Sequence, residues 1–422
     1  MSIWKPQRKE DLRVIQNGKL KQLLVRAMNS EAYREKFKAK GVTVRDVRDI
    51  ADLGKLPITH KTEVPERMKS AVPLGGYAAV PLDDVKRFFI SPGPLIHGLT
   101  SNDARVWRTN GAKCFSLCGV RPNDVASVTT SYHMVPAGFM GHDALEELGC
   151  AVIPTGPGQT QAQIQVLKSL RVTVLFGFTE FLLHLADAAR KDFGMDPGRD
   201  LSLRLSVSVP LPQRPERNEI EEKLGLRERA TQIYGVAELG IIGAECSLEN
   251  GIHLLEESFV LEMLDPHTGE PVEPGKPGEI VLTSLDIEGM PKLRYATGDL
   301  AIHAVDPCNC GLQESRIVKF VGRVDEVTKV KGLFVFPAQI EEAIKSFPTL
   351  GRFQAVVERP SNIDVLRVRV ECKEETANLG NKLIRTLKER IGIEVEIEFL
   401  KPNELQPENK RILDKRTGSL TW

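Results

Sequence analysis

Neither sign of charge is in surplus in this sequence: 57 Lys and Arg stand against 57 Asp and Glu in 422 residues. No field of one sign surrounds such a chain, which disfavours nucleic acid and anionic membrane as partners. Nor is there a run approaching the ~18 apolar residues that read as a membrane-spanning helix. The opening residues, MSIWKPQRKE, are charged and lack the apolar core of a secretory signal. A soluble, cytoplasmic protein is expected. Cysteine is sparse and odd in number, seven in all. That excludes the disulfide framework of a small secreted domain and leaves reduced thiols or metal ligands. What remains is a globular composition, 41% hydrophobic, in a chain long enough to divide into two or more units.

Periodicity gives the order of elements. Leu12, Ile15, Leu20, Leu23, Leu24 and Ala27 recur at helical spacing and EAYREKFKA continues the pattern, so residues 1–75 read as a helical cap. From 104 to 230, apolar strands such as DVASVTTS, CAVIPTG and VTVLFGF alternate with amphipathic helices. This alternation predicts an α/β fold with a mostly parallel sheet, helices on both faces and ligands beyond the carboxyl ends of the strands. After Arg323 the pattern becomes a compact α+β unit that runs to residue 422.

The chemistry concentrates between Thr231 and Gly332. Tyr234, Gly235 and Glu238 bring an aromatic ring, a turn and a carboxylate within five residues, a kit for stacking a base and holding a metal ion. Thr297-Gly298-Asp299 places an acceptor-only carboxylate after a glycine turn, which suits the vicinal hydroxyls of a ribose. Gly322-Arg323-Val324-Asp325 adds a permanent cation and a second carboxylate at an expected linker. Cys246, His253, Cys308 and Cys310 supply three thiols and one imidazole, a complete tetrahedral set for structural zinc. Their spacing is not that of a common zinc finger, and reduced thiols beside a histidine are the alternative. Glu256 and Glu257, just after His253, are candidates to support such a site.

In order and spacing these motifs resemble the phenylacetate-CoA ligase family of the adenylate-forming superfamily. The resemblance runs almost end to end, through DLGKLPITHKTEV, ALEELGCAVIPTGPGQTQAQIQVLKSL, DPHTGEPVEPGKPGEIVLTSL and RILDKR. It implies a large N-terminal adenylate-forming-type domain (1–322) and a small mobile lid domain (323–422). It implies ATP, Mg²⁺ and coenzyme A as cofactors, and a carboxylic acid, probed by aromatic pocket residues, as substrate. The acid becomes an acyl-adenylate, and the CoA thiolate then displaces AMP. By the same resemblance Glu238 holds Mg²⁺, Asp299 and Arg323 the ribose, and Tyr234 and Gly235 the adenine. Ser91 and Gly93 belong to the phosphate loop, and Tyr132, His133, Gly138, Phe139 and Phe178 line the acyl pocket. Asp325 is the hinge, Lys331 and Gly332 form the loop that approaches CoA, and Lys410 is the adenylation lysine. Related members share the C…H…C-x-C pattern, and a homodimer is expected.

Three departures accompany the resemblance. The family phosphate loop reads Ser-Ser-Gly-Thr-Thr-Gly-Lys-Pro-Thr, and aligned without a gap this chain has Ser91, Pro92, Gly93, Pro94, Leu95, Ile96, His97, Gly98 and Leu99. Two prolines lack N–H donors, and His97 stands where a fixed cation is expected. Ser208, Val209, Pro210 and Leu211 occupy the adenine-framing Gly-Ala-Glu-Pro position, and Lys410 lies two places late. A second reading therefore stays open from the sequence: a divergent paralogue that binds AMP, acyl-adenylate or CoA without catalysis.

Overall fold

Buried residues at spacings of three and four, from Leu12 to Ala27, give α1 (Lys9–Ala27) its inner stripe. α2 (Glu31–Lys40) ends on Gly41 in the left-handed region. The short strand β1 (Thr59–His60) and α3 (Glu63–Ser70) complete the helical cap. The structure is a computed structural model and describes residues 3–91, 95–209, 217–324, 328–330, 333–360, 364–374, 378–406 and 410–416. Gly93, Asp325, Lys331 and Gly332 lie outside the described residues, as do Pro210 and Leu211 of the adenine-framing position.

β2 (Val85–Ser91) and β3 (Leu95–Thr100) form an antiparallel hairpin whose last pair is Ser91 with Leu95. Only residues 92–94 join the two strands. The ungapped placement of a nine-residue phosphate loop is therefore not what the chain adopts. Leu95, Ile96 and His97 are strand residues, with His97 opposite Phe89. α4 (Ser101–Cys118) then starts with a capping box, in which the Thr100 hydroxyl and the Asp103 N–H meet at 3.0 Å and Asp103 accepts from the Thr100 N–H at 3.0 Å. Such a cap is worth about 1 kcal/mol.

The remaining strands of the large sheet follow in chain order. They are β4 (Val125–Val128), β5 (Ala151–Ile153), β6 (Val174–Phe178), β7 (Leu205–Val209), β8 (Arg229–Val236) and β9 (Gly240–Glu245). Then come β10 (Ile252–Leu254), β11 (Phe259–Leu264), β12 (Pro277–Ser284), β13 (Lys292–His303) and β14 (Arg316–Arg323). Their spatial order is β11-β12-β13-β14-β10-β9-β8-β7-β6-β4-β5, with β1 added to β13. β5, β4, β6, β7 and β8 pair in parallel, because helices such as α5 (Ala137–Leu148) carry the crossovers between them. Beyond β8 the pairings with β9 and β10 turn antiparallel, as short turns replace the helices. No helix among the described residues is long and apolar enough to cross a membrane.

The chain divides into two compact units. One comprises residues 1–297 and 302–319, the other 298–301 and 320–422. The expected boundary was 322/323; the second unit also takes the four residues that begin with Gly298. That unit carries a four-stranded sheet in the order Val395–Leu400, Val365–Cys372, Leu350–Glu358, Ile412–Asp414. Helices Pro337–Lys345 and Leu379–Ile391 belong to the same unit. Leu379, Leu383, Leu387 and Ile391, one every four residues, give the second helix its buried stripe, and Leu383 and Leu387 join Val368 and Val357 in the core.

Candidate functional site

Glu238 lies in the turn between β8 and β9, and its side chain is fully buried. A buried carboxylate is costly unless it is paired. Here the Ser91 hydroxyl donates to Oε1 at 2.7 Å, and the Lys61 ammonium stands 3.2 Å from Oε1 and 3.3 Å from Oε2. Burial alone would raise the carboxyl, but Lys61, His97 and the Ser91 hydrogen bond outweigh it and hold Glu238 below the usual carboxylate range. Lys61 owes its position to β1, which pairs in parallel with β13, Thr59 opposite Tyr295, so that the Lys61 N–H donates to the Ala296 carbonyl at 3.3 Å. The turn is tight: Gly240 (φ +85°) faces the Trp107 ring, which a Cβ would approach to 3.0 Å.

Two more buried polar groups feel the charge of this carboxylate. His97 is pushed down to about 4 by burial, with the Glu238 charge opposing, so its imidazole is neutral at pH 7. Lys292, at the start of β13, is pushed down to about 8 by burial, against the pull of Glu238 and Asp103. Sequence reading assigned no part to Lys61 or Lys292. No local motif marks either one; only the strand pairing brings Lys61 to Glu238. Glu238 offers the single carboxylate with which Mg²⁺ carried on phosphates is commonly held.

The pair expected to bind ribose lies within the second unit. Asp299 and Arg323 form an ion pair at 2.6 Å. Gly298 (φ +81°) makes room for it, since a Cβ there would come within 2.7 Å of the Arg323 guanidinium. Tyr234 sits in β8 opposite Gly243 with its ring almost wholly covered. Lys410 is exposed; its carbonyl accepts from the Gln354 side chain at 3.1 Å.

In the loop before α5, Tyr132 packs edge-on against Phe139 with centroids 5.3 Å apart, and its hydroxyl lies 3.2 Å from His142 Nδ1. Gly138 is required by this packing, because a Cβ would meet the Tyr132 ring at 2.7 Å. Phe139 in turn touches Phe89 of the hairpin, 5.6 Å between centroids. His133 is exposed, and Phe178 at the end of β6 is 43% exposed.

The four presumed metal donors converge within the first unit. Their ligand atoms all lie within 4.8 Å of one another, with Cys246 Sγ 3.8 Å from Cys308 Sγ and Cys310 Sγ 3.4 Å from His253 Nε2. Sulfurs bound tetrahedrally at ~2.3 Å from one zinc stand roughly 3.8 Å apart, so the donor set fits that ion. Burial, then Arg316, pushes His253 down to about 4, so its imidazole is neutral at pH 7. Among the described residues its Nδ1 has no hydrogen-bond partner, and Glu256 and Glu257 do not supply one. Glu256 accepts from Ser315, and Glu257 from Gln7 and Lys113.

Phenylacetate-coenzyme A ligase of Thermus thermophilus is 30% identical over 444 aligned residues, which cover 97% of this chain and 97% of that enzyme. The chain belongs to the phenylacetate-coenzyme A ligase family. The enzyme of the same description from Escherichia coli is 31% identical, covering 92% of this chain and 90% of its own. Residues 332–416 match the family of AMP-binding enzyme C-terminal domains. Among solved structures, an open conformation of 2-hydroxyisobutyryl-CoA ligase in complex with 2-HIB-AMP and CoA superposes with a TM-score of 0.83 at 22% identity, covering 94% of this chain and 90% of that one. At that identity the likeness shows the adenylate-forming fold alone.

Proposed function

We propose that this protein joins a carboxylic acid, aromatic by its pocket lining, to coenzyme A through an acyl-adenylate, consuming ATP and releasing AMP. The near-full-length likeness to acid–CoA ligases carries the reading, and the buried Glu238 and the Asp299 to Arg323 ion pair support it. The relatives above are ligases and give the binding-only alternative no support.

In this reading the chain acts mostly by positioning and charge neutralisation. Mg²⁺ supplies charge neutralisation on the phosphates when bound, and Glu238 is the residue that would hold it. Asp299, steadied by Arg323, accepts from the ribose hydroxyls. Tyr234 and Gly235 border the adenine, and Lys410 meets the charge that develops on adenylation. Tyr132, Gly138 and Phe139 shape the acyl pocket, with His133 and Phe178 at its rim. Asp325 serves as hinge, and Lys331 and Gly332 as the loop presented to CoA. The Cys246, His253, Cys308 and Cys310 set holds a structural zinc, since four protein ligands leave no open position. Incubation with ATP, Mg²⁺, CoA and a panel of aromatic and short acyl acids should yield an acyl-CoA thioester and AMP in equal amounts. Formation of ADP, or of no thioester with any acid, would overturn the reading.

A further inference from the structure

The segment before α1 and the loop that carries Cys308 and Cys310 have one trait in common, the lack of regular structure. Residues 3–8 lie outside any helix or strand, and so do residues 304–315 between β13 and β14. Backbone without a ladder or helix of its own keeps its order only through other contacts, because fixing each residue costs conformational entropy. Here the two segments supply such contacts to each other. Trp4, 6% exposed, donates its indole N–H to Glu314 Oε1 at 2.9 Å, and Glu314 is buried as well. The Gln313 side chain accepts from the Lys9 N–H at 3.3 Å.

The same stretch also grips the chain that follows His253. Gln7 donates to Glu257 at 3.1 Å, and Gln16 of α1 donates to the carbonyls of Glu256 and Phe259 at 2.8 and 3.1 Å. Ser315 ties the two gripped segments together, its hydroxyl donating to Glu256 at 2.5 Å. Only the Ile3 N–H reaches elsewhere in this set, to the Ser116 hydroxyl of α4 at 2.8 Å. An indole N–H is a donor and nothing else, and left unsatisfied in a buried place it is costly. Its acceptor, Glu314, follows Cys310 in the irregular loop, so it keeps its place only while the loop does. The ends of that loop are fixed by the strands, where the Ala304 N–H donates to the Arg316 carbonyl at 2.7 Å. Its middle carries Cys308 and Cys310, which meet Cys246 and His253 with all four ligand atoms within 4.8 Å. An ion held there closes the loop, and the energy of binding becomes energy of ordering.

We infer that residues 3–8 are a strap whose docking is coupled to metal occupancy: an ion on the four donors orders the loop that receives Trp4, and docked Trp4 holds the ion more tightly. The inference rests on the zinc proposed for these four residues and gives that zinc a task, fastening the segment that leads into the helical cap. Coupling of this kind is reciprocal, so it is measurable from either end.

The test reads both directions on the full chain. Hydrogen exchange by mass spectrometry, before and after zinc is stripped with a chelator, should show residues 3–9 exchanging at least about 10-fold faster without zinc, while the middle of α1 keeps its rates. Competition with a coloured chelator should show Trp4→Ala binding Zn²⁺ about 5- to 100-fold more weakly than wild type, the usual range of coupling between sites. Arg8→Ala, which breaks only a surface pair with Asp11, should bind Zn²⁺ as the wild type does. Leu185→Ala, which opens a cavity beside Ile164 elsewhere in the unit, should lower stability without weakening zinc. If Trp4→Ala does not fold, Trp4→Phe, which removes the indole N–H and keeps a ring, carries the comparison. Absence of either effect would overturn the inference and leave the zinc a local staple. Equal weakening in Leu185→Ala would overturn it too, by making general unfolding the route of metal loss. A wild type that holds no zinc as purified and binds no added Zn²⁺ would overturn the zinc reading itself, and the strap with it.

Discussion

Two polar clusters in the first unit solve opposite problems. Cys246, His253, Cys308 and Cys310 are all potential donors to one centre, and their distances already suit a single tetrahedral ion. Around Glu238 the charges are mixed: Ser91 and Lys61 satisfy the carboxylate, while among the described residues Lys292 makes one hydrogen bond and the His97 ring nitrogens none. A set that is complete on its own is suited to holding a fold together. A set with a remainder is suited to a ligand that comes and goes. The difference separates structure from chemistry without reference to either cluster's position in the chain.

The sharpest break of that comparison acts on the first cluster. Cys308→Ser removes one of four ligands, and because the binding energy of a structural metal is folding energy, the variant should lose its metal and several kcal/mol of stability, on the order of 5 kcal/mol. Metal analysis of protein purified without added metal should give one zinc per wild-type chain and much less in the variant. An unchanged melting temperature and no zinc in either protein would mean that the four residues are reduced side chains in contact.

The two clusters also differ in how far the sequence revealed them. The thiols and imidazole were legible because ligand chemistry is specific to residue type, so C-x-C-G and a distant Cys and His could be gathered before their strands were known. The α/β alternation was legible for a similar reason, since period-2 and period-3.6 apolar patterns are local. The second cluster was half hidden. Glu238 belongs to a local motif, but Lys61 reaches it only because β1 pairs with β13 across more than two hundred residues, and no local pattern encodes that pairing. The hairpin was misplaced for a related reason: counting residues without a gap put His97 in a loop, whereas strand register puts it opposite Phe89. The expected boundary lies at 322/323 and the compact units divide at 319/320, and the inclusion of Gly298 to Ala301 in the second unit depends on tertiary contacts.

A smaller effect sharpens the comparison on the Glu238 side. His97 is held down to about 4 in the folded protein, against ~6.5 when exposed. The unfolded chain therefore binds the extra proton first, so the stability associated with neutral His97 is full above ~6.5 and drains away as the pH falls toward the folded value. Between pH 7 and 4.5 the wild type should lose about 2 kcal/mol more than His97→Val. Denaturant unfolding at the two pH values measures the difference, and equal losses would mean that the His97 ring is not kept neutral by burial.

The central claim is that this chain, on a shortened hairpin, still activates an acid with ATP at Glu238. Exchange of labelled pyrophosphate into ATP reads that half-reaction directly, without CoA and without thioester formation. With Mg²⁺ and a suitable aromatic or short acyl acid, label should enter ATP, and Glu238→Ala should reduce the rate by about 100-fold or more, the scale on which loss of a charge-stabilising group slows a reaction. No exchange with any acid, in a wild-type protein that still binds AMP, would contradict the account.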